Sequence, residues 1–244
     1  MRKFINIFIC VILSCGIVGC SSMNSPPGNL TIYFVRHGQT DTNVQGLMVG
    51  QSGSPALTEA GKDNAHKLGA GLSNIRFDAA YSSELERAYD TAGLVLEGAG
   101  QDLKVEKKSD LNDISWGDAE GMTWAEISEK YGVTDMSQCF GDIGDKDFKS
   151  PMNAENKYDF CKRFGQGVDS VISENKAGDT VLIVAHSSLA FYLRKLFPKE
   201  NISGVDNTSV TIVEYSYDMG EFKLKDLNDT SYISCLLYTS PSPR

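Results

Sequence analysis

Two of the three histidines in this 244-residue chain, His37 and His186, directly follow short apolar runs: residues 31–35 (Thr-Ile-Tyr-Phe-Val) and 181–185 (Val-Leu-Ile-Val-Ala). Arg36 stands beside the first histidine. Ser187 and Ser188 stand beside the second, at the start of a helix-periodic stretch through Leu189, Leu193 and Leu196. A third apolar run, residues 77–81, leads through Ser82 and Ser83 to Arg87 in the first turn of a helix. Ligands of doubly wound sheets collect beyond the carboxyl ends of the strands. Two guanidinium groups and two imidazoles converging there make a pocket for a dianionic group, because guanidinium forks match phosphate oxygens bidentately. Backbone N–H groups at a helix start near Ser187 add to that field. A lone arginine is usually a surface or paired charge; the shared strand-end setting is what points Arg36 and Arg87 toward a ligand.

The elements that must position these groups follow from periodicity. Residues 31–35 and 181–185 are continuous apolar, β-rich runs, the signature of strands buried on both faces. Thr58 caps a helix with Ala65, Leu68 and Leu72 at helical spacing, and residues 84–96 form another helix with Leu85, Ala88, Ala92 and Val95 on one face. Residues 77–81 and 103–105 are further strands. Residues 210–215 and 222–227 form a hairpin about the turn Asp218-Met219-Gly220. Strands alternating with helices predict an α/β fold, a three-layer α/β/α sandwich with a mainly parallel central sheet and an antiparallel edge strand. Residues 131–158 are rich in Gly, Asp, Asn and Lys with little periodicity, which predicts an excursion over the active face.

These residues carry a family resemblance. Arg36-His37-Gly38-Gln39-Thr40 with Asn43 beyond it, Ser-Pro-x-Leu-Thr-x-x-Gly at 54–61, and Ser82-Ser83-x-Leu85-x-Arg87-Ala88-x-x-Thr91-Ala92 resemble the histidine phosphatase superfamily, which includes the phosphoglycerate mutases. Val184-Ala185-His186 and Asn207 extend the match, so the resemblance covers about residues 30–227. It implies a two-step mechanism: His37 attacks phosphorus in line, Arg36, Arg87 and His186 hold the equatorial oxygens, Asn43 hydrogen-bonds the phosphoryl group, and water then hydrolyses the phosphohistidine. A nucleophilic imidazole must be neutral, and neighbouring cations help keep it so. No metal or other cofactor is needed, since the arginines supply the countercharge.

The leaving oxygen needs a proton, and here the sequence departs from the family. In Leu111-Asn112-Asp113-Ile114-Ser115-Trp116-Gly117-Asp118-Ala119-Glu120-Gly121, Asp113 stands where a Glu is expected, one methylene shorter. Asp118 and Glu120 rank behind it and are read as solvated turn carboxylates. Ser187-Ser188 replaces a small Gly pair, and helix capping is the reading for these hydroxyls. His66, in an amphipathic helix, is read as a surface or boundary residue. Trp116 and Trp124 are read as anchors of a loop and short helix on the core.

Composition narrows the partners. Hydrophobic residues at 41% and charged residues at 23% are ordinary globular usage, which excludes collagen-like, disordered and polytopic membrane proteins. Lys+Arg 23 against Asp+Glu 32 gives a net charge of -9, so nucleic acid is not an expected partner. A small phosphorylated metabolite must be captured by a local cationic cluster against the overall field. No G-x-S-x-G elbow or P-loop is present. Cys139 and Cys161 are either a bridged pair or two small buried thiols.

At the N-terminus, Arg2 and Lys3 precede an apolar run that ends Ile17-Val18-Gly19-Cys20-Ser21-Ser22. This resembles a bacterial lipoprotein signal: residues 1–19 as signal peptide, Cys20 as the lipidated residue, 20–29 as a tether, 30–228 as the catalytic domain and 229–244 as a tail outside the fold. The expectation is a metal-independent phosphomonoesterase acting on small phosphate esters, lipid-anchored to the membrane at the cell envelope, on its periplasmic or extracellular face. The alternatives are a phosphoglycerate-mutase-type phosphotransferase and a phosphate-ligand binding module disabled at Asp113.

Overall fold

The computed structural model describes residues 28–234. In chain order its elements are β1 (Asn29–Arg36), α1 (Asp41–Gln45), β2 (Leu47–Met48), α2 (Glu59–Gly71), β3 (Ala79–Ser82), α3 (Glu86–Gly98), β4 (Val105–Lys107), β5 (Met122–Thr123), α4 (Trp124–Tyr131), α5 (Met136–Phe140), α6 (Lys157–Glu174), β6 (Thr180–Ala185), α7 (Leu189–Leu196), β7 (Val210–Ser216), β8 (Glu221–Asp229) and α8 (Ser231–Ser234). Six strands form one sheet in the order β4-β3-β6-β1-β7-β8, and β2 pairs with β5 in a small ribbon. The pairs β4–β3, β3–β6 and β6–β1 are parallel, whereas β7 runs antiparallel to both β1 and β8. This is the expected α/β sandwich, mostly parallel with an antiparallel pairing on one side.

Strand alternation divides the core in two. Ile32 and Phe34 of β1, with Val181, Ile183 and Ala185 of β6, pack against Phe160, Phe164 and Val168 of α6 and Leu189 and Leu193 of α7. Tyr33 and Val35, with Leu182 and Val184, face Leu68 of α2 and Ala88, Ala92 and Val95 of α3. Both faces of β1 and β6 are therefore covered, which is why their sequences show no polar alternation.

Two expected boundaries need correction, and two packed elements were not anticipated. The helix expected from residue 84 begins at Glu86, because the Glu84 amide donates to Asn112 Oδ1 and the Leu85 amide to Ser83 Oγ, holding the strand end out of helical geometry. The excursion over 131–158 is built and packed: Asp135 caps α5, and Phe140 and Met152 are buried. The tail boundary at residue 228 falls short, since β8 reaches Asp229 and Tyr232 and Ile233 pack on the α2–α3 side of the sheet. The 18-residue α6 was not anticipated, although Phe160, Phe164, Val168 and Val171 have helical spacing and Asn156 caps it at 2.8 Å to the Asp159 amide. Cys139 and Cys161 are free and buried, not bridged, and His66 is exposed as expected. The expected signal residues 1–19 and the expected lipidation site Cys20 lie outside the described residues. Among the described residues no helix is long and apolar enough to cross a membrane.

Candidate active site

Pairing of Arg36 with Ala185, and of Ser82 with Val184, brings the ends of β1, β6 and β3 level, so His37, His186 and Ser83 emerge side by side. The two imidazole centroids are 5.2 Å apart and both rings are buried.

The turn after β1 fixes His37. Its Nδ1 lies 2.7 Å from the Gly38 carbonyl oxygen. A carbonyl only accepts, so Nδ1 carries the hydrogen and the lone pair is on Nε2. The Gly38 amide donates to Thr91 Oγ1 (2.9 Å), which donates to the Arg87 carbonyl (2.6 Å), tying the turn to α3. A Cβ on Gly38 would stand 2.7 Å from the Gly61 carbonyl oxygen, so only glycine lets the turn approach α2 this closely. Asn207 Nδ2 donates to the His37 carbonyl at 2.8 Å and to Asn43 Oδ1 at 3.3 Å. Asn43 Oδ1 also takes the Thr40 amide in the capping box that starts α1.

Arg87, 2% exposed, donates through Nη2 to the Gly50 carbonyl (2.8 Å) and to Asp113 Oδ2 (3.2 Å). Arg36 Nη1 donates to the Val205 carbonyl at 2.9 Å. His186 Nε2 is 2.7 Å from Ser83 Oγ, and its Nδ1 is 3.6 Å from Asp113 Oδ2, a neighbour that favours the tautomer with hydrogen on Nδ1. Four buried side-chain polar atoms among the described residues have no hydrogen-bond partner, and three of them are Arg36 Nε, Arg87 Nη1 and His186 Nδ1. A buried unpaired donor costs about 1–3 kcal/mol. Three such donors from three adjacent strand ends mark a place built for an anion.

Asp113 accepts from Arg87, from its neighbouring Ile114 amide (3.0 Å) and from Ser188 Oγ (2.5 Å). The shorter side chain therefore reaches the groups around the anion pocket. Ser188 corrects the capping expectation: it occupies the N-cap position of α7 without a side-chain cap bond, and its hydroxyl goes to Asp113 instead. The two reserve carboxylates are elsewhere. Glu120 accepts the amides of Gly50 (2.7 Å), Gln51 (3.2 Å) and Trp116 (2.9 Å), so it fastens two loops together and is not the solvated carboxylate expected. Asp118 is exposed and bonded to Asn153. Trp116 packs edge-on against Phe140 at 4.6 Å, the anchoring role expected of it.

Sequence reading missed Arg163 of α6. It donates to the carbonyls of Asp110 (2.9 Å), Asn112 (3.0 Å) and Asp113 (3.1 Å) and pairs with Glu155 at 2.8 Å, so it clamps the segment that presents Asp113. The helical spacing of α6 was the signal that would have led to it.

Burial holds the His37 imidazole well below its ordinary pKa, assisted by His186, Arg87 and Arg36. Burial, with Arg87 and Arg36, does the same to His186. In the unfolded chain both rings take up a proton near 6.5. Below that pH the unfolded state binds more protons than the folded one, so stability falls as pH falls, by up to about 1.4 kcal/mol per pH unit for each ring until its folded pKa is reached. Urea unfolding of the chain between pH 7.5 and 5 is expected to show this decline, and His37→Ala to shallow it. A flat profile in the parent chain would mean the rings titrate normally in the fold.

An α/β sandwich whose strand ends gather two buried histidines and two arginines with unpartnered donors defines the class. The family model described as "Histidine phosphatase superfamily (branch 1)" matches residues 32–230, and the chain belongs to that superfamily. It is similar to a 2,3-bisphosphoglycerate-dependent phosphoglycerate mutase of Cytophaga hutchinsonii, with 32% identity over 83% of this chain and 92% of that protein. A broad-specificity phosphatase of Saccharomyces cerevisiae is 29% identical over 84% of this chain and 87% of its own length. Among solved structures, a phosphoglycerate mutase from Bacillus anthracis superposes with a TM-score of 0.74 at 29% identity, covering 85% of this chain and 96% of the other. These relatives are enzymes of phosphoryl transfer.

Proposed function

We propose that the chain is a phosphomonoesterase that hydrolyses small phosphate esters through a phosphohistidine at His37. The observation that carries this is the set of unpartnered buried donors, Arg36 Nε, Arg87 Nη1 and His186 Nδ1, beside an imidazole whose lone pair is on Nε2. An equatorial phosphoryl oxygen accepts from each donor while His37 Nε2 forms a bond to phosphorus and the ester oxygen departs. Asn43 adds a donor at the edge of the site. Asp113 gives the leaving oxygen its proton and takes one from the water that then displaces phosphate from His37, so the enzyme returns to its starting state. The arginines carry the countercharge, and no metal is part of this mechanism.

The mutase relatives support a second reading, in which the phosphoryl group is kept and returned to the substrate. The export-type N-terminus supports hydrolysis over mutase action, since it takes the domain away from cytoplasmic sugar phosphates. Incubation with p-nitrophenyl phosphate and with 3-phosphoglycerate decides between them. The expected result is stoichiometric inorganic phosphate, inhibited by vanadate and unchanged by EDTA. Bisphosphoglycerate-dependent conversion to 2-phosphoglycerate without net phosphate release would make the chain a mutase.

The same reading includes lipidation at Cys20 and attachment at the cell envelope. In a bacterial host Cys20→Ser is expected to leave an unprocessed or released protein, seen as loss of labelled fatty acid and of membrane-fraction activity. Normal acylation and fractionation of that variant would remove the anchor from the proposal.

A further inference from the structure

Beside the anion pocket lies a cavity of about 410 Å³ that shares Arg36 and Ser188 with it. Arg36, Lys157 and Arg194 line this cavity and no carboxylate does, in a chain whose net charge is -9. Lys157, at the start of α6, is 9% exposed, and its Nζ makes no hydrogen bond or ion pair among the described residues. Its stem is buried while the ammonium opens onto the cavity, where no side chain of the described residues pairs it. Its ammonium stands 5.2 Å from the centroid of the Phe191 ring, and the Arg194 guanidinium stands 5.6 Å from the same centroid. Arg194 is aimed by two carbonyls, Nε to Ile202 (2.7 Å) and Nη2 to Ser203 (2.8 Å), and Nη1 makes no protein bond. Apart from Ser187, Ser188 and Ser203 the rest of the wall is apolar, with Trp116 and Phe140 in it. Burial lowers the Lys157 pKa, an effect Asp142 partly offsets, so an anion arriving beside the ammonium relieves a standing cost.

We infer that this cavity is the leaving-group subsite, and that it selects esters carrying a second anionic group, a carboxylate or second phosphate, on an apolar or aromatic body. Lys157 and Arg194 receive that group around the Phe191 ring, while Trp116 and Phe140 cover the body. The inference rests on the phosphomonoesterase reading for the position of the reacting phosphoryl group. Its evidence, a lysine whose ammonium is unpaired at the cavity and two cations at one aromatic ring, is separate from that reading.

The test compares 4-carboxyphenyl phosphate and 4-(phosphonomethyl)phenyl phosphate with the neutral isostere 4-carbamoylphenyl phosphate. The carbamoyl phenol is the best leaving group of the three, so preference for the anionic esters cannot arise from leaving ability. Two quantities are read: kcat/KM with the unaltered chain, and Kd by calorimetry with His37→Ala, which binds without turnover. Both are expected to favour the anionic esters by about tenfold or more, the size of one charge-assisted contact. In Lys157→Met and Lys157→Gln both ratios are expected to shrink to about twofold, and the relative size for carboxylate and phosphonate identifies the preferred anion. Circular dichroism shows whether each variant is folded. Kd values equal for charged and neutral esters, or ratios unchanged in both folded Lys157 variants, would overturn the subsite while hydrolysis stood. A Kd preference lost in the variants, with no ester hydrolysed, would keep the subsite and defeat the phosphomonoesterase.

Discussion

His37→Ala is expected to lower kcat for every phosphate ester by about four orders of magnitude or more and to abolish an acid-labile phosphoenzyme in the same stroke. The size follows from what losing a nucleophile costs when the binding groups remain. The identity of the nucleophile follows from the hydrogen bonds of the two rings. His37 commits Nδ1 to the Gly38 carbonyl and has no protein partner for Nε2, whereas His186 has Ser83 against Nε2 and Asp113 near Nδ1. Only His37 presents a free lone pair to the pocket. His186→Ala is accordingly expected to slow turnover while a labelled phosphoenzyme still forms. Rapid quench with a 32P-labelled ester, followed by acid and base treatment, separates the two variants. A label that survives His37→Ala would move the nucleophile elsewhere. Because burial and neighbouring cations keep His37 unprotonated, the parent enzyme is also expected to keep forming phosphoenzyme at pH values where a free imidazole would be largely charged.

What could be read from the sequence was what depends on short-range pattern. The apolar runs of β1 and β6 are buried on both faces, so they stand out, and each delivers its histidine at the strand end; parallel pairing then aligns them. Arg87 was legible because a helix follows β3. Less legible were the partners that fold brings from afar. Ser188 and Asp113 are 75 residues apart, and nothing local distinguishes a serine that caps from one that bonds across the pocket. Arg163 and Lys157 lie on α6, whose start is masked by the Gly-, Asp- and Lys-rich excursion before it. Arg163 holds the segment that presents Asp113 and Lys157 lines the proposed leaving-group cavity, so the sequence pointed to phosphoryl chemistry more clearly than to the ester it serves. The excursion is also where Phe140 and Met152 are buried, since isolated apolar residues in an irregular segment carry no period.

For Asp113→Asn the expected outcome is a split between kcat and KM. The carboxylate touches Arg87, stands 3.6 Å from His186 Nδ1 and takes the Ser188 hydroxyl, so it adjoins the place where the phosphoryl oxygens and the departing oxygen must sit. As proton donor it matters most where the leaving group is poor. Alkyl phosphates are expected to lose about 10²- to 10³-fold in kcat, within the usual range for general acid catalysis, and p-nitrophenyl phosphate much less, because that phenolate departs without help. In the free enzyme the same carboxylate opposes an arriving phosphate dianion, so the ester binds with uptake of one proton from solvent, and Asp113 holds that proton until the leaving oxygen takes it. Its neutralisation is expected to lower KM and to tighten vanadate binding for every ester. Asparagine keeps one acceptor oxygen, enough for the Ser188 hydroxyl and the Ile114 amide but not also for Arg87, which retains the Gly50 carbonyl. Equal loss of kcat for alkyl and aryl esters would take the acid role from Asp113. Unchanged KM and vanadate affinity would show that its charge is already neutralised by Arg87. Loss confined to poor leaving groups, together with tighter anion binding, is the signature of one carboxylate that donates a proton and, by its charge, limits how tightly the phosphate dianion is held.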